Sequence, residues 1–198
     1  MANLALFDFD GTLTTKDSLG EFIRFAVGES EYKKGLFKFI PYFLGWKLKL
    51  MRNDKAKEKL FGIFFKGIDE VKFKMLAQKY SFSMIDPIIR DDMFSVLESH
   101  MQNQDKILVV SASMNCWLEP YFAKIGIDVL ATELEFVDGK FSGKFKTPNC
   151  HGIEKVNRIK EAINLDDYEH IYAYGDSDGD KEMLELAHTA YMNGQKIS

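Results

Sequence analysis

Residues 4–14 read Leu4-Ala5-Leu6-Phe7-Asp8-Phe9-Asp10-Gly11-Thr12-Leu13-Thr14, and this stretch decides the fold. Leu4 to Phe9 reads as a short buried strand that runs into Asp8-Phe9-Asp10-Gly11. Strand alternation puts Asp8 and Asp10 on the same side as the chain leaves the sheet. Two carboxylates placed together repel unless a cation or a proton intervenes. One of them can attack phosphorus and form an acyl phosphate. The other can protonate the departing oxygen and later take a proton from water. Thr12 and the backbone amides after Gly11 can cradle phosphate oxygens.

Downstream, the pattern is helical from Ser18 to about His100, with Phe22, Ile23, Phe25 and Ala26 at helix spacing. Asp54 and Asp69 are expected as helix caps, and Pro87 as a break between helices. Pro41 should kink or end a helix crossing Phe37–Trp46. After that the chain alternates. Lys106–Ser111 is a strand, Asn115 to about Ile125 a helix ended by Gly126, and Val129–Thr132 a strand. Phe136–Phe141 is a hairpin turning at Asp138-Gly139. A helix from Ile153 to Ile163, a strand His170–Tyr174, a helix Asp180–Ala187 and a strand near Ala190–Met192 follow. The expected fold is α/β, a Rossmann-like doubly wound parallel sheet. The helical run between the first two strands is too long for one crossover and reads as an inserted α-helical cap. The expected division is a core of residues 1–15 and 88–198 with a cap of 16–87.

The chain has 198 residues, 46% hydrophobic and 28% charged, which is ordinary globular material. A net charge of −4 argues against a general nucleic-acid binder. Cys116 and Cys150 match no zinc or redox spacing, and so few thiols suit a reducing cytoplasm. No signal peptide is indicated at the N-terminus, and Gly35–Met51 is too interrupted by lysines and Pro41 for a membrane span.

Three further segments lie at predicted strand ends, where open parallel sheets bind ligands. Ser111, in Val110-Ser111-Ala112-Ser113, offers a hydroxyl without the flanking glycines of a serine-hydrolase elbow. Lys155 begins a helix and can offset charge on a transferring phosphoryl group. Gly175-Asp176-Ser177-Asp178-Gly179-Asp180 is an acidic loop suited to a hard divalent cation. It is not a calcium EF-hand, because Lys181 stands where glycine is needed and Ala187 where a bidentate glutamate is needed.

Taken in order, Asp8-x-Asp10-Gly11-Thr12, Ser111, Lys155 and Gly175-Asp176 with Asp180 resemble the four motifs of the haloacid dehalogenase (HAD) superfamily. The cap position is similar to the phosphoserine-phosphatase-like branch, subfamily IB. Thr14–Ser18 and Pro148-Asn149-Cys150-His151-Gly152 resemble a bacterial group that includes a phosphatidylglycerophosphate phosphatase. The resemblance implies a phosphatase with Asp8 as nucleophile and Asp10 as general acid/base. It also implies Mg2+ held by Asp8, Asp176 and the Asp10 backbone carbonyl, phosphate bound by Thr12, Ser111 and Lys155, and Asp180 in support. Asp10 favours phosphate over halide chemistry, since dehalogenases of the superfamily lack an acid there. Asp178-Gly179-Asp180 departs from the Gly-Asn-Asp common in phosphoserine phosphatases.

Asp17 and Arg24 are expected to reach a substrate from the cap side. Lys33, Lys34, Lys38, Lys47, Lys49 and Arg52 lie among Phe37, Phe39, Tyr42, Phe43 and Trp46, a mixture suited to anionic membrane surfaces. The expected substrate is thus a small or lipid-like phosphate ester. The expected localisation is cytoplasmic, with peripheral membrane contact through the cap. A phosphoserine-type phosphatase, a phosphotransferase or mutase, and a non-catalytic phosphate-binding module remain open alternatives at this point.

Overall fold

The computed structural model describes residues 2–198. Its strands are β1 (Leu4–Phe7), β2 (Lys106–Met114), β3 (Asp128–Thr132), β4 (Leu134–Val137), β5 (Lys140–Phe145), β6 (Ile171–Gly175), β7 (Thr189–Met192) and β8 (Gln195–Lys196). Its helices are α1 (Ser18–Val27), α2 (Glu29–Lys47), α3 (Asn53–Phe65), α4 (Glu70–Met84), α5 (Asp91–Gln102), α6 (Asn115–Phe122), α7 (Ile153–Ala162) and α8 (Lys181–Leu184). One sheet has the order β3-β2-β1-β6-β7-β8, parallel except for the edge strand β8. The chain winds outward from β1 through β2 to β3, then returns to β6 on the other side of β1. The strand order therefore reverses between β1 and β6, and open parallel sheets bind ligands at such a point, at the C-terminal strand ends.

Period-2 alternation divides β1 between two cores. Leu4 and Leu6 pack with Leu108, Val110, Cys150, Ile159 and Met183, beneath α7 and α8. Ala5 and Phe7 face the other way, into a larger cluster with Val109, Leu97, Trp117 and Phe122. Asp8 continues the Leu4–Leu6 series, so the pleat itself turns it toward α7.

The helices between β1 and β2 join the larger cluster through aromatic rings. Phe22 of α1 stacks on Trp117 of α6 at 4.5 Å and meets Phe65, Phe73 and Tyr80 at 5.4–5.5 Å. Phe61 of α3 reaches Phe141 and Phe145 of the β4–β5 hairpin. That hairpin turns at Asp138 and Gly139, both with positive φ, as a two-residue turn requires.

Several expectations shift. Pro41 does not end its helix, and α2 runs through it from Glu29 to Lys47. The helix is held from outside: Gly35 lies so close to Phe64 that a Cβ there would meet the ring at 2.1 Å, and Tyr32 stacks on the same ring. Asp69 caps α4 by accepting from the Lys72 amide, but Asp54 sits inside the first turn of α3, whose cap position is Arg52. The Asp180–Ala187 helix shrinks to α8: a capping box at Ser177 makes Asp178–Asp180 a 3-10 turn ahead of it, and past Leu184 the amides of Leu186 and Ala187 bond three residues back instead of four. The edge strand β8 was not expected.

Phe22→Ala removes a fully buried ring shared by α1, α3, α4 and α6. It should cost about 3–5 kcal/mol in urea unfolding. A loss below about 1 kcal/mol would contradict this packing.

Candidate active site

At the C-terminal end of β1, Lys155 comes up from the first turn of α7 and is 1% exposed. Its ammonium donates to Asp8 Oδ1 at 2.5 Å, to Asp180 Oδ1 at 2.6 Å and to the Val110 carbonyl at 2.7 Å. All three ammonium hydrogens are thereby used, which is what a buried lysine needs. Burial works against its charge, but Asp8 and Asp180 outweigh that and hold Lys155 above its ordinary value. Burial pushes Asp8 up to about 6, and Lys155 only partly offsets it.

Asp180 is locked from the other side as well. Its Oδ2 accepts from the backbone amides of Asp176 and Ser177 and from the Ser177 hydroxyl at 3.1–3.2 Å. Burial alone would raise it, but Lys155 and these amides together hold it below the ordinary carboxylate range. Asp176 lies within hydrogen-bonding reach of Asp8, and burial and then Asp180 push it up. Ligand atoms of Asp8, Asp176 and Asp180 all fall within 4.8 Å of one another. Three carboxylates against one ammonium leave excess negative charge here, the donor set of a hard cation. With both Asp180 oxygens already committed, Asp8 and Asp176 are the better placed of the three to hold one.

Glycine makes this approach possible. Gly11 has φ +88°, and a Cβ on it would stand 2.3 Å from Asp176 Oδ2. The turn after β1 therefore carries no side chain where the acidic loop crosses it. Just before it, Asp10 accepts at 2.7 Å from the Ser18 amide at the start of α1. Burial and then Asp17 push Asp10 up to about 7, against the pull of that hydrogen bond.

The residues expected to hold phosphate are brought to the same end of the sheet. Thr12 is buried, and its hydroxyl has no hydrogen-bond partner, an orphan that a phosphate oxygen would satisfy. Ser111 is buried where the β2–β3 register shifts, and its Oγ accepts from the Ser113 amide at 3.0 Å. The bulge re-aims the strand there. Asp178 stands apart, exposed and paired with Lys181 at 2.7 Å.

The two cap-side expectations divide. Asp17 is the cap of α1, accepting from Gly20, and is near enough to Asp10 to raise it. Arg24 is instead engaged at the surface by Glu21, Glu29 and the Tyr32 ring. Sequence reasoning missed Lys57. This lysine of α3 donates to the Ala112 carbonyl at 3.4 Å, beside Ser111. Burial pulls it below its ordinary value, while Asp10, Asp17 and Asp8 act to restore it. Nothing near it in sequence marks it out, since it lies among the other charges of Asp54–Lys59. Ser18 and Ser113 were missed too: their hydroxyls meet at 2.6 Å, tying α1 to the end of β2.

The sequence profile of the haloacid dehalogenase-like hydrolases matches residues 5–185. Protein CicA of Caulobacter vibrioides is 31% identical over 186 residues, spanning 93% of this chain and 82% of CicA. A probable phosphatase of Mycobacterium tuberculosis is 27% identical over 199 residues, spanning 96% of this chain and 68% of its own length. A substrate-bound phosphoserine phosphatase superposes with a TM-score of 0.69 at 17% identity, covering 97% of this chain and 86% of that one. At that identity the last likeness speaks for the fold alone.

Lys155→Met strands Asp8 and Asp180 as buried, unpaired carboxylates. At neutral pH the variant should lose about 3–5 kcal/mol of stability. Lys155 is what holds Asp8 down to about 6, so in the variant Asp8 takes up its proton at a higher pH, and the deficit should shrink as pH falls toward about 6. Denaturant titrations at several pH values measure this, and a deficit independent of pH would contradict it.

Proposed function

The chain belongs to the haloacid dehalogenase-like hydrolase family, and from that premise we propose that it is a magnesium-dependent phosphatase acting through an aspartyl-phosphate on Asp8. The observation that carries this reading is Asp8 itself, buried at the switch point, gripped by Lys155 on one side and faced by Asp176 on the other. In this reading residues 16–87 form a cap over a core of 1–15 and 88–198.

The chemistry divides among the chain's own residues. Asp8 attacks the phosphorus of a phosphate monoester, the bond from phosphorus to the leaving oxygen breaks, and Asp10 gives that oxygen a proton. An Asp10 pushed up to about 7 can carry that proton near neutrality. Asp10, now a carboxylate, takes a proton from water, whose oxygen attacks the same phosphorus. Inorganic phosphate leaves, and Asp8 is regenerated. Lys155 offsets the charge on the phosphoryl oxygens, and Thr12 and Ser111 hold them. Asp180 keeps Lys155 aimed at Asp8.

Asp8 and Asp176, with the Asp10 backbone carbonyl, would hold magnesium. When bound, the ion lets two anions, phosphate and carboxylate, approach each other. The excess of carboxylates over ammonium at the site supports that assignment.

The substrate in this reading is a small or lipid-like phosphate monoester, met on the cytoplasmic side, with the cap able to touch a membrane. No helix among the described residues is long and apolar enough to cross one.

A magnesium-dependent screen of phosphate monoesters, with phosphoserine and lysophospholipid phosphates among them, tests the proposal. Asp8→Asn should bring turnover to background while keeping the fold. Asp10→Asn should slow it by about 10²–10⁴-fold. Full activity in Asp8→Asn would sink the reading.

A further inference from the structure

Helix α2 has two apolar faces, and only one of them has something to pack on. Its inner face is satisfied by α3, where Gly35 and Tyr32 lie against Phe64 and Tyr42 lies under Lys59. Its outer face carries Phe37, Ile40, Leu44 and Leu48, spaced i, i+3, i+7 and i+11, which is one stripe of a helix. These side chains are 75%, 46%, 52% and 68% exposed, and Leu50 just beyond the helix is 81% exposed. A row of large apolar side chains turned to solvent is unusual for a helix already anchored on its opposite face.

Charge says what covers it. Residues 32–53 contain six lysines and arginines and no acid. The whole chain carries −4, so the remainder carries −10. The basic excess of the chain is thus concentrated in the segment that carries the apolar stripe. Lys33, Lys34 and Arg52 pair with Glu29, Glu31 and Asp54 at the edges of this region, in exposed bridges that exchange readily. Lys47 lies over the rings of Phe43 and Trp46. Lys38 and Lys49 lie near the two ends of the stripe in sequence. An apolar strip bordered by lysines with a tryptophan beside it matches a surface offering hydrocarbon below and negative headgroups above.

We infer that α2 and the loop to Arg52 form the docking face for an anionic lipid bilayer, on which the helix lies flat. The stripe enters the headgroup boundary, the lysines meet the lipid phosphates, and the acidic remainder of the molecule is turned away from the membrane. This deepens the membrane contact named above, yet it stands on the surface of α2 and not on the chemistry at Asp8.

Co-sedimentation of the full chain with vesicles of phosphatidylcholine, with and without phosphatidylglycerol, tests it. The protein should pellet with the phosphatidylglycerol vesicles, release as salt is raised, and stay largely in solution with phosphatidylcholine alone. Lys38→Gln, Lys47→Gln and Lys49→Gln should each weaken partitioning by about fivefold. Changing Phe37, Leu44 and Leu48 together to Ser should abolish it while leaving hydrolysis of a soluble phosphate ester unchanged. Asp8→Asn should bind vesicles as the unaltered chain does, so loss of catalysis and loss of docking are read separately. No pelleting with phosphatidylglycerol vesicles at low salt would overturn the inference. So would a dimer in sedimentation velocity that the serine variant dissociates, since the stripe would then be an interface between copies.

Discussion

The ammonium of Lys155 is the group on which the rest of the site depends. It is buried among Asp8, Asp180 and a backbone carbonyl, and each of its hydrogens has an acceptor. Without it, the carboxylates would not stay ionised so far from water. With it, Asp8 is fixed in direction but only partly neutralised, because Asp180 shares the same ammonium. A carboxylate held in this way is oriented, desolvated and still anionic at working pH, the condition a nucleophile needs.

The fold supplies this arrangement through simple geometry. Alternation along β1 sends Asp8 to the α7 side, the same side as Leu4 and Leu6. The reversal of strand order between β1 and β6 brings the turn after Asp8 alongside the acidic loop after Gly175. Gly11 then lets Asp176 approach the turn without a side chain in the way. Asp180 reaches back to cap that same loop, so the residue that holds Lys155 also fixes the backbone that carries Asp176. The Thr12 hydroxyl, by contrast, is buried with no partner.

Much of this was legible in the sequence. The strand leading into Asp8, the later strands, the hairpin at Asp138-Gly139 and the residues now gathered around Lys155 are local patterns, fixed by pleat, turn chemistry and strand-end position. What stayed hidden depends on distant neighbours. Pro41 is tolerated because α3 holds α2 along its length, which no window around residue 41 records. Lys57 comes to the site only because α3, packed on the β4–β5 hairpin, brings it within reach of the Ala112 carbonyl of β2. Arg24 was read as reaching for substrate, but two glutamates and a tyrosine on the same surface engage it first. The charge asymmetry of α2 could be counted from the sequence, whereas the fact that its apolar stripe faces outward could not.

The central claim is that Asp8 forms a covalent bond to phosphorus. Quenching the protein during turnover of a labelled phosphate monoester, reducing with borohydride and sequencing the peptides by mass spectrometry tests it directly. The account predicts that position 8, and no other, is converted to homoserine in proportion to the label trapped. Label on Ser111 or Lys155, or turnover with no modification at position 8, would contradict it.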